Sequence, residues 1–563
     1  MAHPSVPRVE SGRKRITIAA LVTLAVILSM TLAACGSSSA GKSGPKILTA
    51  ICAVSGSYTQ NMSPFNPNVN CGVDGLVYEN LVYVNGVTGQ ETPMLSTSHQ
   101  FSSDNLTLTF NIRQGVKWSD GQAFDANDVA FTFNLLKQYP AADDGGLWTH
   151  FTSVTAPDAT SVVIKFDKPA PTLLPTIEGI YIVPQHLWAS VGDPSKFTNT
   201  TPVGTGPMKL SSFNAQVIKY VKNSAYWQAD KVKVEELDYP VVDSNSTALL
   251  KMASGQADWT GIFDPAVQSA FVQKDPAHNF SSPVPVVPAQ IVPNLKNPLL
   301  GQLAVRKAIS AALDRQQMSV SGEAGFEPPA SPTGLMPGQE AYLDAKFNGQ
   351  LPAFPAADPN AAAQILQTAG FSKGSDGIFQ DAQGHKLSFK VTVPGDFSDY
   401  VADLGIAQQN LKAAGIDLQL NKVSDDDWRA DRAGHNFELI MTGGFFGPTP
   451  YYYLEPLLHS THISGTGATN WAQWNDAKTD QLLEQYAATS DPATQKQAIQ
   501  GITAIMADQL PVIPVLDAVQ FFEYSTKHWT GWPTPQNLYA VGSAYQLKAG
   551  DNEQVILHLT PAS

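Results

Sequence analysis

Cysteine is scarce in this 563-residue chain, which contains only Cys35, Cys52 and Cys71. No two of them have Cys-x-x-Cys spacing, so the sequence predicts neither a zinc knuckle nor a thioredoxin-type redox site. A glycine-rich phosphate-binding loop is also missing, and the pair His459 and His462 lacks the glutamate that follows the first histidine in zinc peptidases. We therefore predict no cofactor and no metal. The two histidines are expected to be polar lining or surface residues, and nickel coordination is the alternative.

Basic residues are few relative to acidic ones, with 35 Lys and Arg against 49 Asp and Glu. Residues 1–34 hold four of the basic residues and one acidic residue. Residues 35–563 therefore contain 31 basic and 48 acidic residues, a formal charge of −17. A chain this acidic is a poor partner for nucleic acid or for anionic lipid headgroups. We expect it to bind neither.

Long hydrophobic runs are limited to one, Ile16–Leu32, which follows a basic cluster and leads into small residues. This order is typical of an export signal. The sequence LAAC ending at Cys35 resembles a bacterial lipobox, which implies that residues 1–34 are a signal peptide and that Cys35 is lipidated. The Gly/Ser-rich residues 35–45 are then a flexible tether on the outer face of the cell membrane. The alternative is a single transmembrane anchor, because the run is nearly long enough to span a bilayer.

Cys52 and Cys71 remain as an even pair in an oxidising compartment, within a segment rich in Asn, Pro and Gly. This pattern predicts a disulfide, and two buried free thiols are the alternative.

Strand-like and helix-like patterns alternate along the chain, which indicates an α/β protein. About 520 folded residues exceed what one core usually supports, so we expect at least two lobes. LVYENLVYVN at 76–85 predicts a short helix leading into a strand, and Thr107–Ile112 alternates as a half-buried strand does. Helices are predicted at 126–137, with Asp125 as the cap, and at 303–313, 360–369, 402–414, 478–488 and 492–507.

Five segments, in this order, resemble the extracellular solute-binding proteins of family 5, the dipeptide, oligopeptide and nickel type. They are LTLTFNIRQGVKWSDGQAFDANDVAFTFNL at 106–135, PVGTGP at 202–207, VRKAI with LDR at 305–315, DPN with AGF at 358–371, and LPVIPV at 510–515. The likeness covers nearly the whole chain after the tether.

The resemblance implies a type II periplasmic-binding-protein fold, with two lobes joined by a hinge and an extra subdomain in the first lobe. It also implies a non-catalytic, monomeric receptor that passes its ligand to the permease subunits of an ABC importer. The expected limits are 46–83, 200–297 and 516–563 for the first-lobe core, 84–199 for the subdomain and 298–515 for the second lobe. The match of residues 370–374 to G-x-S-x-G is expected to be chance, because a helix rather than a strand precedes it.

Peptide binders of this family generally present an acidic residue after the strand that here reads FELIMT, at 437–442. In this chain GGFF follows, and no carboxylate occurs before Glu455. A buried ammonium group without a charged partner is costly, so the sequence disfavours a free peptide N-terminus as the ligand.

Two aromatic segments, GGFFGPTPYYYL at 443–454 and WTGWPTPQN at 529–537, resemble the oligosaccharide-binding branch of the family. Rings can stack on the apolar face of a sugar, while amides bind its hydroxyls. The predicted ligand-binding residues are Asn61, Asn66, Trp259, Phe445, Phe446, Tyr451, Tyr452, Trp529 and Trp532. Core packing is the alternative for each ring.

The ligand predicted from this pattern is a neutral β-linked oligosaccharide of the cello or xylo type. A peptide receptor of the same transporter class is the first alternative. A glycoside hydrolase is a more distant one, since it needs two carboxylates roughly 5–10 Å apart in the cleft.

Overall fold

The computed structural model describes residues 46–52, 56–143, 145–465, 468–544 and 550–562, so the predicted lipidation site Cys35 lies outside the described residues. The strands, in chain order, are β1 (Ile47–Ile51), β2 (Val82–Val84), β3 (Glu91–Pro93), β4 (Ser96–Phe101), β5 (Thr107–Ile112), β6 (Phe151–Asp158), β7 (Ser161–Phe166), β8 (Met208–Asn214), β9 (Val217–Lys222), β10 (Glu236–Pro240), β11 (Trp259–Thr260), β12 (Asn279–Ser281), β13 (Val284–Pro293), β14 (Ser372–Lys373), β15 (Phe379–Gln380), β16 (Ser388–Pro394), β17 (Asp417–Val423), β18 (Leu439–Gly443), β19 (Ile513–Gln520), β20 (Glu523–Ser525), β21 (Trp529–Thr530) and β22 (Thr560–Pro561).

The α-helices are α1 (Ala126–Gln138), α2 (Leu174–Glu178), α3 (Gln185–Trp188), α4 (Asn245–Ala253), α5 (Val267–Ala270), α6 (Leu303–Ala312), α7 (Arg315–Gln317), α8 (Pro359–Thr368), α9 (Ser398–Ala414), α10 (Asp425–Gly434), α11 (Tyr451–Leu458), α12 (Ala477–Ala487), α13 (Pro492–Gln509) and α14 (Asp551–His558). Within the described ranges, no helix combines the length and apolar character needed to cross a bilayer.

Seven strands form the sheet of the first lobe, in the order β12-β20-β11-β1-β10-β9-β8. The central strand β1 pairs in parallel with β10 and β11, and the other pairs are antiparallel. Leu48 and Ala50 of β1 are fully buried in a core that includes Tyr220 and Tyr239. The strand is thus central in its sheet and packed into the main core of this lobe.

Five strands form the sheet of the second lobe, in the order β17-β16-β18-β13-β19. One apolar core joins this sheet to helices α6, α8 and α9, and a separate one joins it to α11, α12 and α13. β13 lies between two partners although it contains three prolines. Its pairing with β19 shifts register at Pro285/Val287 and at Ala289/Gln290, and proline is tolerated at such bulges because the ladder is already interrupted there.

The chain crosses between the two sheets from β12 to β13 and again from β19 to β20. Both crossings lie side by side, because β12 pairs with β20 and β13 pairs with β19. A few residues at paired crossings can absorb the rotation of one lobe against the other. The two-lobe α/β fold expected from the family resemblance is confirmed. β13 lies within the range 200–297 expected for the first lobe, yet it pairs in the second-lobe sheet.

A four-stranded antiparallel sheet, β4-β5-β7-β6, forms the subdomain with α1 packed on it. Asp125 caps α1, because its side chain accepts a hydrogen bond from the backbone N–H of Asn127. The side chain of Asp128 in turn accepts one from the backbone N–H of Asp125. The predicted cap is therefore confirmed, and the helix ends one residue later than expected. The other five predicted helices are observed with shifted ends, and β5 has the predicted limits.

The helix predicted within LVYENL is wrong, because this segment forms turns that lead into β2. Its carbonyl groups bind another loop instead of a helical turn: Val77 O accepts a hydrogen bond of 2.9 Å from Gly206 N–H. A Cβ atom at Gly204 would lie 1.8 Å from Val77 O, so only glycine permits this approach. A distant glycine loop thus overrides the local helix preference.

Candidate functional site

The two lobes meet at a cluster of three phenylalanine rings. Phe263 follows β11 of the first lobe, Phe326 follows α7 of the second lobe, and Phe521 lies at the crossing between β19 and β20. The ring centroids are 5.4 Å apart for Phe263 and Phe521, 5.6 Å for Phe326 and Phe521, and 6.1 Å for Phe263 and Phe326. Residues near this cluster therefore lie where a ligand could contact both lobes.

Gly443, where β18 ends, lies beside the hydroxyl group of Tyr400. A Cβ atom at Gly443 would be 3.5 Å from Tyr400 Oη, and Gly444 N–H donates a hydrogen bond of 2.9 Å to Pro288 O. The pKa of Tyr400 is raised, first by burial and then by nearby carboxyl groups, of which Glu327 contributes most. Tyr400 therefore connects the end of β18 to an acidic cluster.

Four buried acidic residues form this cluster, which we call the junction carboxylates. They are Glu323, Glu327, Asp403 and Asp517, with exposed fractions of 2%, 8%, 1% and 3%. Glu323 and Glu327 flank the ring of Phe326 in sequence, Asp403 lies on α9, and Asp517 lies on β19. Three separate parts of the chain thus bring acidic groups to one buried region.

Hydrogen bonds satisfy these carboxylates only in part. Glu327 Oε1 accepts a bond of 3.3 Å from Val519 N–H. In the described part of the chain, Glu323 Oε1, Asp517 Oδ1 and both oxygens of Asp403 have no hydrogen-bond partner. Nor does any Lys, Arg or His of the described ranges form an ion pair with any of the four. Unpaired buried carboxylates are costly, so the cluster requires either protons or a cation.

Burial raises the pKa of each junction carboxylate to about 8. Mutual repulsion adds to burial: Glu327 and Asp399 raise the pKa of Glu323, and Glu323 and Asp399 raise that of Asp403. Glu323 and Asp403 are also close enough to share a proton, which lowers the pKa of Glu323 and raises that of Asp403. The cluster therefore holds protons near neutral pH when no cation is present. A positively charged group placed beside it would favour the ionised carboxylates.

The structure places the three predicted tryptophans in the core of the first lobe. Trp259 and Trp529 are fully buried, and Trp532 is 5% exposed. Each indole N–H is used internally: Trp259 donates to Gly542 O at 2.6 Å, and Trp532 donates to Trp529 O at 2.9 Å. Trp529 Nε1 lies 3.4 Å from Ile47 O. These rings support the lobe and are not arranged as an open platform.

Two of the predicted second-lobe rings also pack internally. Tyr451 stacks on Tyr486 with ring centroids 4.2 Å apart, and Phe445 lies 5.1 Å from Trp471. The glycine- and proline-rich part of the segment 443–454 ends at the start of a helix, because α11 begins at Tyr451. Pro450 directly precedes the first turn, where proline is tolerated.

Phe446 and Tyr452 face the first lobe and remain partly exposed. The ring of Phe446 lies against Gly86, between β2 and β3, and Tyr452 Oη donates a hydrogen bond of 3.0 Å to Thr172 O in the subdomain. Of the predicted rings, these two therefore form the contact between the lobes.

Asn61 and Asn66 line a cavity of about 690 Å³ that lies on the first lobe. Both side chains also stabilise their own loop: Asn61 Oδ1 accepts from Ser63 N–H at 3.3 Å, and Asn66 Oδ1 accepts from Asn68 N–H at 3.0 Å. Cys71 lies on the same cavity and is joined by a disulfide to Cys52, with the two Cα atoms 6.4 Å apart. The structure does not bring these two amides to the cluster of Phe263, Phe326 and Phe521 where the lobes meet.

The junction carboxylates are absent from the residues predicted from the sequence. The family pattern points only to the positions directly after FELIMT, and in this chain those positions hold GGFF. In the fold, α9 and the segment after α7 supply acidic groups that act electrostatically on Tyr400, whose hydroxyl group lies beside Gly443. β19 supplies Asp517, which acts in the same way on Glu327. A partial signal was present in Glu323 and Glu327, two acidic residues within an otherwise apolar and small-residue segment.

Comparison with known proteins places this geometry in context. The profile described as bacterial extracellular solute-binding proteins, family 5 Middle, matches residues 90–465. The oligopeptide-binding protein OppA of Bacillus subtilis is 24% identical, with 88% of this chain and 93% of that protein covered.

Among solved structures, an oligopeptide-binding protein of an ABC transporter from Thermotoga maritima matches with a TM-score of 0.82. The identity is 24%, and 92% of this chain and 99% of that chain are covered. A structure of the Thermotoga maritima protein with mannohexaose bound matches with a TM-score of 0.73 at 23% identity, covering 92% and 98%. The fold is thus shared with proteins described as binding either kind of ligand.

Proposed function

This chain belongs to the bacterial extracellular solute-binding proteins of family 5, and on that premise we propose that it is a peptide receptor. Proteins of this family are the solute-binding components of ABC importers and are not enzymes. In our proposal the lobes close on an oligopeptide whose positively charged amino group is bound near the junction carboxylates. Closure depends on the ligand because only a ligand that favours the closed state shifts the equilibrium.

One observation carries this proposal: the second lobe buries acidic groups without a basic partner among the described residues, close enough to Tyr400 to raise its pKa. The hydroxyl group of Tyr400 in turn lies beside Gly443, where β18 ends. A peptide ammonium near Gly443 would satisfy acceptors that otherwise must be protonated. The objection that an ammonium lacks a partner in this chain is therefore removed.

The relatives also favour a peptide. Both the Bacillus subtilis relative and the Thermotoga maritima protein are oligopeptide-binding proteins. The burial of Trp259, Trp529 and Trp532 further weakens the case for a stacking platform for sugars.

An oligosaccharide is the second candidate, because one neighbour of the same fold has mannohexaose bound. The partly exposed rings of Phe445, Phe446 and Tyr452 are the observation in this chain that favours it. In that case the ligand would be neutral and would not need the junction carboxylates.

Calorimetry distinguishes the two candidates. We expect heat from a mixture of tetra- to hexapeptides with free amino termini and none from mannohexaose or cellohexaose. N-terminal acetylation of a bound peptide should weaken its affinity by about 30-fold or more, since losing one partner of a buried charge pair costs about 2 kcal/mol or more. Glu327→Gln should reduce this acetylation effect, whereas the exposed-site control Glu235→Gln should keep it. Heat from an oligosaccharide with none from any peptide would reverse the assignment.

Lipid anchoring through Cys35, a monomeric state and contact with permease subunits complete the proposed role. Anchoring would hold the receptor near the permease. These features rest on the sequence pattern and on the family.

A further inference from the structure

Three groups able to bind a metal meet on the subdomain, away from the junction carboxylates. Glu91 lies on β3, His99 on β4 and Glu178 at the end of α2. One ligand atom from each lies within 4.8 Å of the other two. His99 Nδ1 is 3.1 Å from Glu178 Oε1, and His99 Nε2 is 4.0 Å from Glu91 Oε2.

The burial of Glu178 is a second and independent observation. Its side chain is fully buried, and Oε2 has no hydrogen-bond partner in the part of the chain that the structure describes. Its backbone is held in place, because the Glu178 carbonyl accepts a hydrogen bond of 3.1 Å from Leu81 N–H. A carboxylate that is fixed in position and incompletely paired is suited to bind a cation.

A cavity of about 420 Å³ gives access to this cluster. Glu91 and His99 line it from the subdomain, and Pro448, Thr449 and Tyr452 line it from the second lobe. The cavity can admit an ion with its water molecules, so the coordination sphere need not be supplied by the protein alone. An ion at this place would lie next to the lobe contact made by Tyr452.

We propose that Glu91, His99 and Glu178 form a binding site for a divalent transition-metal ion. One imidazole and two carboxylates suit zinc and its first-row neighbours, whereas calcium and magnesium prefer oxygen ligands only. Three protein ligands leave positions for water. Glu91 is the most exposed of the three and closes on the ion by a rotation of its side chain.

Zinc titration of the untagged, full-length protein in detergent tests the site. Calorimetry with ZnCl2 should show one equivalent of bound zinc. This binding should be lost in His99→Ala, and its affinity should fall about tenfold or more in Glu91→Gln. Glu91 is exposed, so Glu91→Gln should leave the fold intact and keeps the test valid if His99→Ala is unstable. His186→Ala is the matched control. His186 also pairs with a carboxylate of the subdomain, at 2.8 Å from Asp120, but among the described residues Asp120 is its only carboxylate partner.

The pair His459 and His462, whose rings are 6.0 Å apart, could also bind zinc. The titration is therefore repeated in a His459→Ala/His462→Ala variant, in which we expect zinc to bind at His99 as before. Substitution of Co²⁺ should give a visible absorption band that disappears with Glu91→Gln. Zinc binding that is absent, or that is unchanged in both His99→Ala and Glu91→Gln, would overturn the proposal. Neither result depends on whether the transported ligand is a peptide.

Discussion

The ring of Phe446 in the second lobe lies directly over Gly86 in the first. A Cβ atom at Gly86 would be 2.1 Å from Phe446 Cζ and 2.4 Å from Cε1, so no side chain fits between the lobes as they stand. This contact between the lobes thus requires glycine at position 86.

Gly86→Ala should therefore weaken ligand binding by disfavouring closure. Overpacking of this kind costs about 1–3 kcal/mol, or roughly 5- to 150-fold in affinity. Calorimetry with the peptide bound most tightly by the unmodified protein measures the effect. Gly192→Ala is the control, because a Cβ atom there meets nothing within 4 Å. Equal affinities of the two variants would show that Gly86 and Phe446 separate when the ligand is bound.

Trp532→Ala should lower stability and should not act mainly on ligand affinity. Its ring is buried beside Trp259 and Tyr524, at centroid distances of 5.7 and 5.3 Å. Removal of a buried indole costs about 3–5 kcal/mol. Urea unfolding followed by circular dichroism gives the change in the free energy of unfolding. Phe446→Ala, at the lobe contact, should lower this free energy much less. A stable Trp532→Ala protein with weakened binding would restore the role predicted from the sequence.

The junction carboxylates should make the unliganded protein less stable as the pH rises. Their pKa values are near 8 in the folded state and near 4 when unfolded, so between these values the folded state binds more protons. The free energy of unfolding then falls with rising pH, by up to about 1.4 kcal/mol per pH unit for each proton of difference. The contribution is fully present below about pH 4 and is lost as the pH passes 8.

Urea unfolding at a series of pH values measures this slope. Asp403→Asn should make it less steep, whereas Glu235→Gln, at an exposed position, should leave it as it is. A slope that is the same in Asp403→Asn would mean that the cluster is not protonated in the folded protein.

Replacement of Cys52 and Cys71 together by serine should reduce stability by about 3 kcal/mol, because the disulfide closes a loop between residues 19 positions apart. Thermal unfolding with and without reductant measures the loss. Reductant should lower the melting temperature of the unmodified protein and have no effect on the double variant. Recovery of two alkylated cysteines from unreduced protein would show that the bridge does not form.

Cys35→Ser should release the protein from the membrane, because the lipobox-like sequence predicts attachment through this cysteine. Fractionation with a carbonate wash measures the distribution. A Cys35→Ser protein that stays with the membrane would mean that Ile16–Leu32 itself is the anchor.

Local features of this protein were predictable from the sequence alone. The helix that begins after Asp125, the strand Thr107–Ile112 and the alternation of strands and helices are visible as local patterns of polar, apolar and capping residues. Such patterns predict an element correctly where no distant contact competes with them, as the glycine loop does at LVYENL. The family resemblance, spread over ordered motifs, then led to the two-lobe fold.

Only the tertiary structure decided which side chains meet. The tryptophans of the C-terminal segment and Tyr451 of α11 resembled a sugar platform, but ring type does not reveal whether a side chain faces a core or a cleft. Carboxylates at 323, 327, 403 and 517 have no local spacing that joins them, because the chain visits other helices and strands between them. They become neighbours only when α9 and β19 pack in the second lobe, and their burial there is what raises their pKa values.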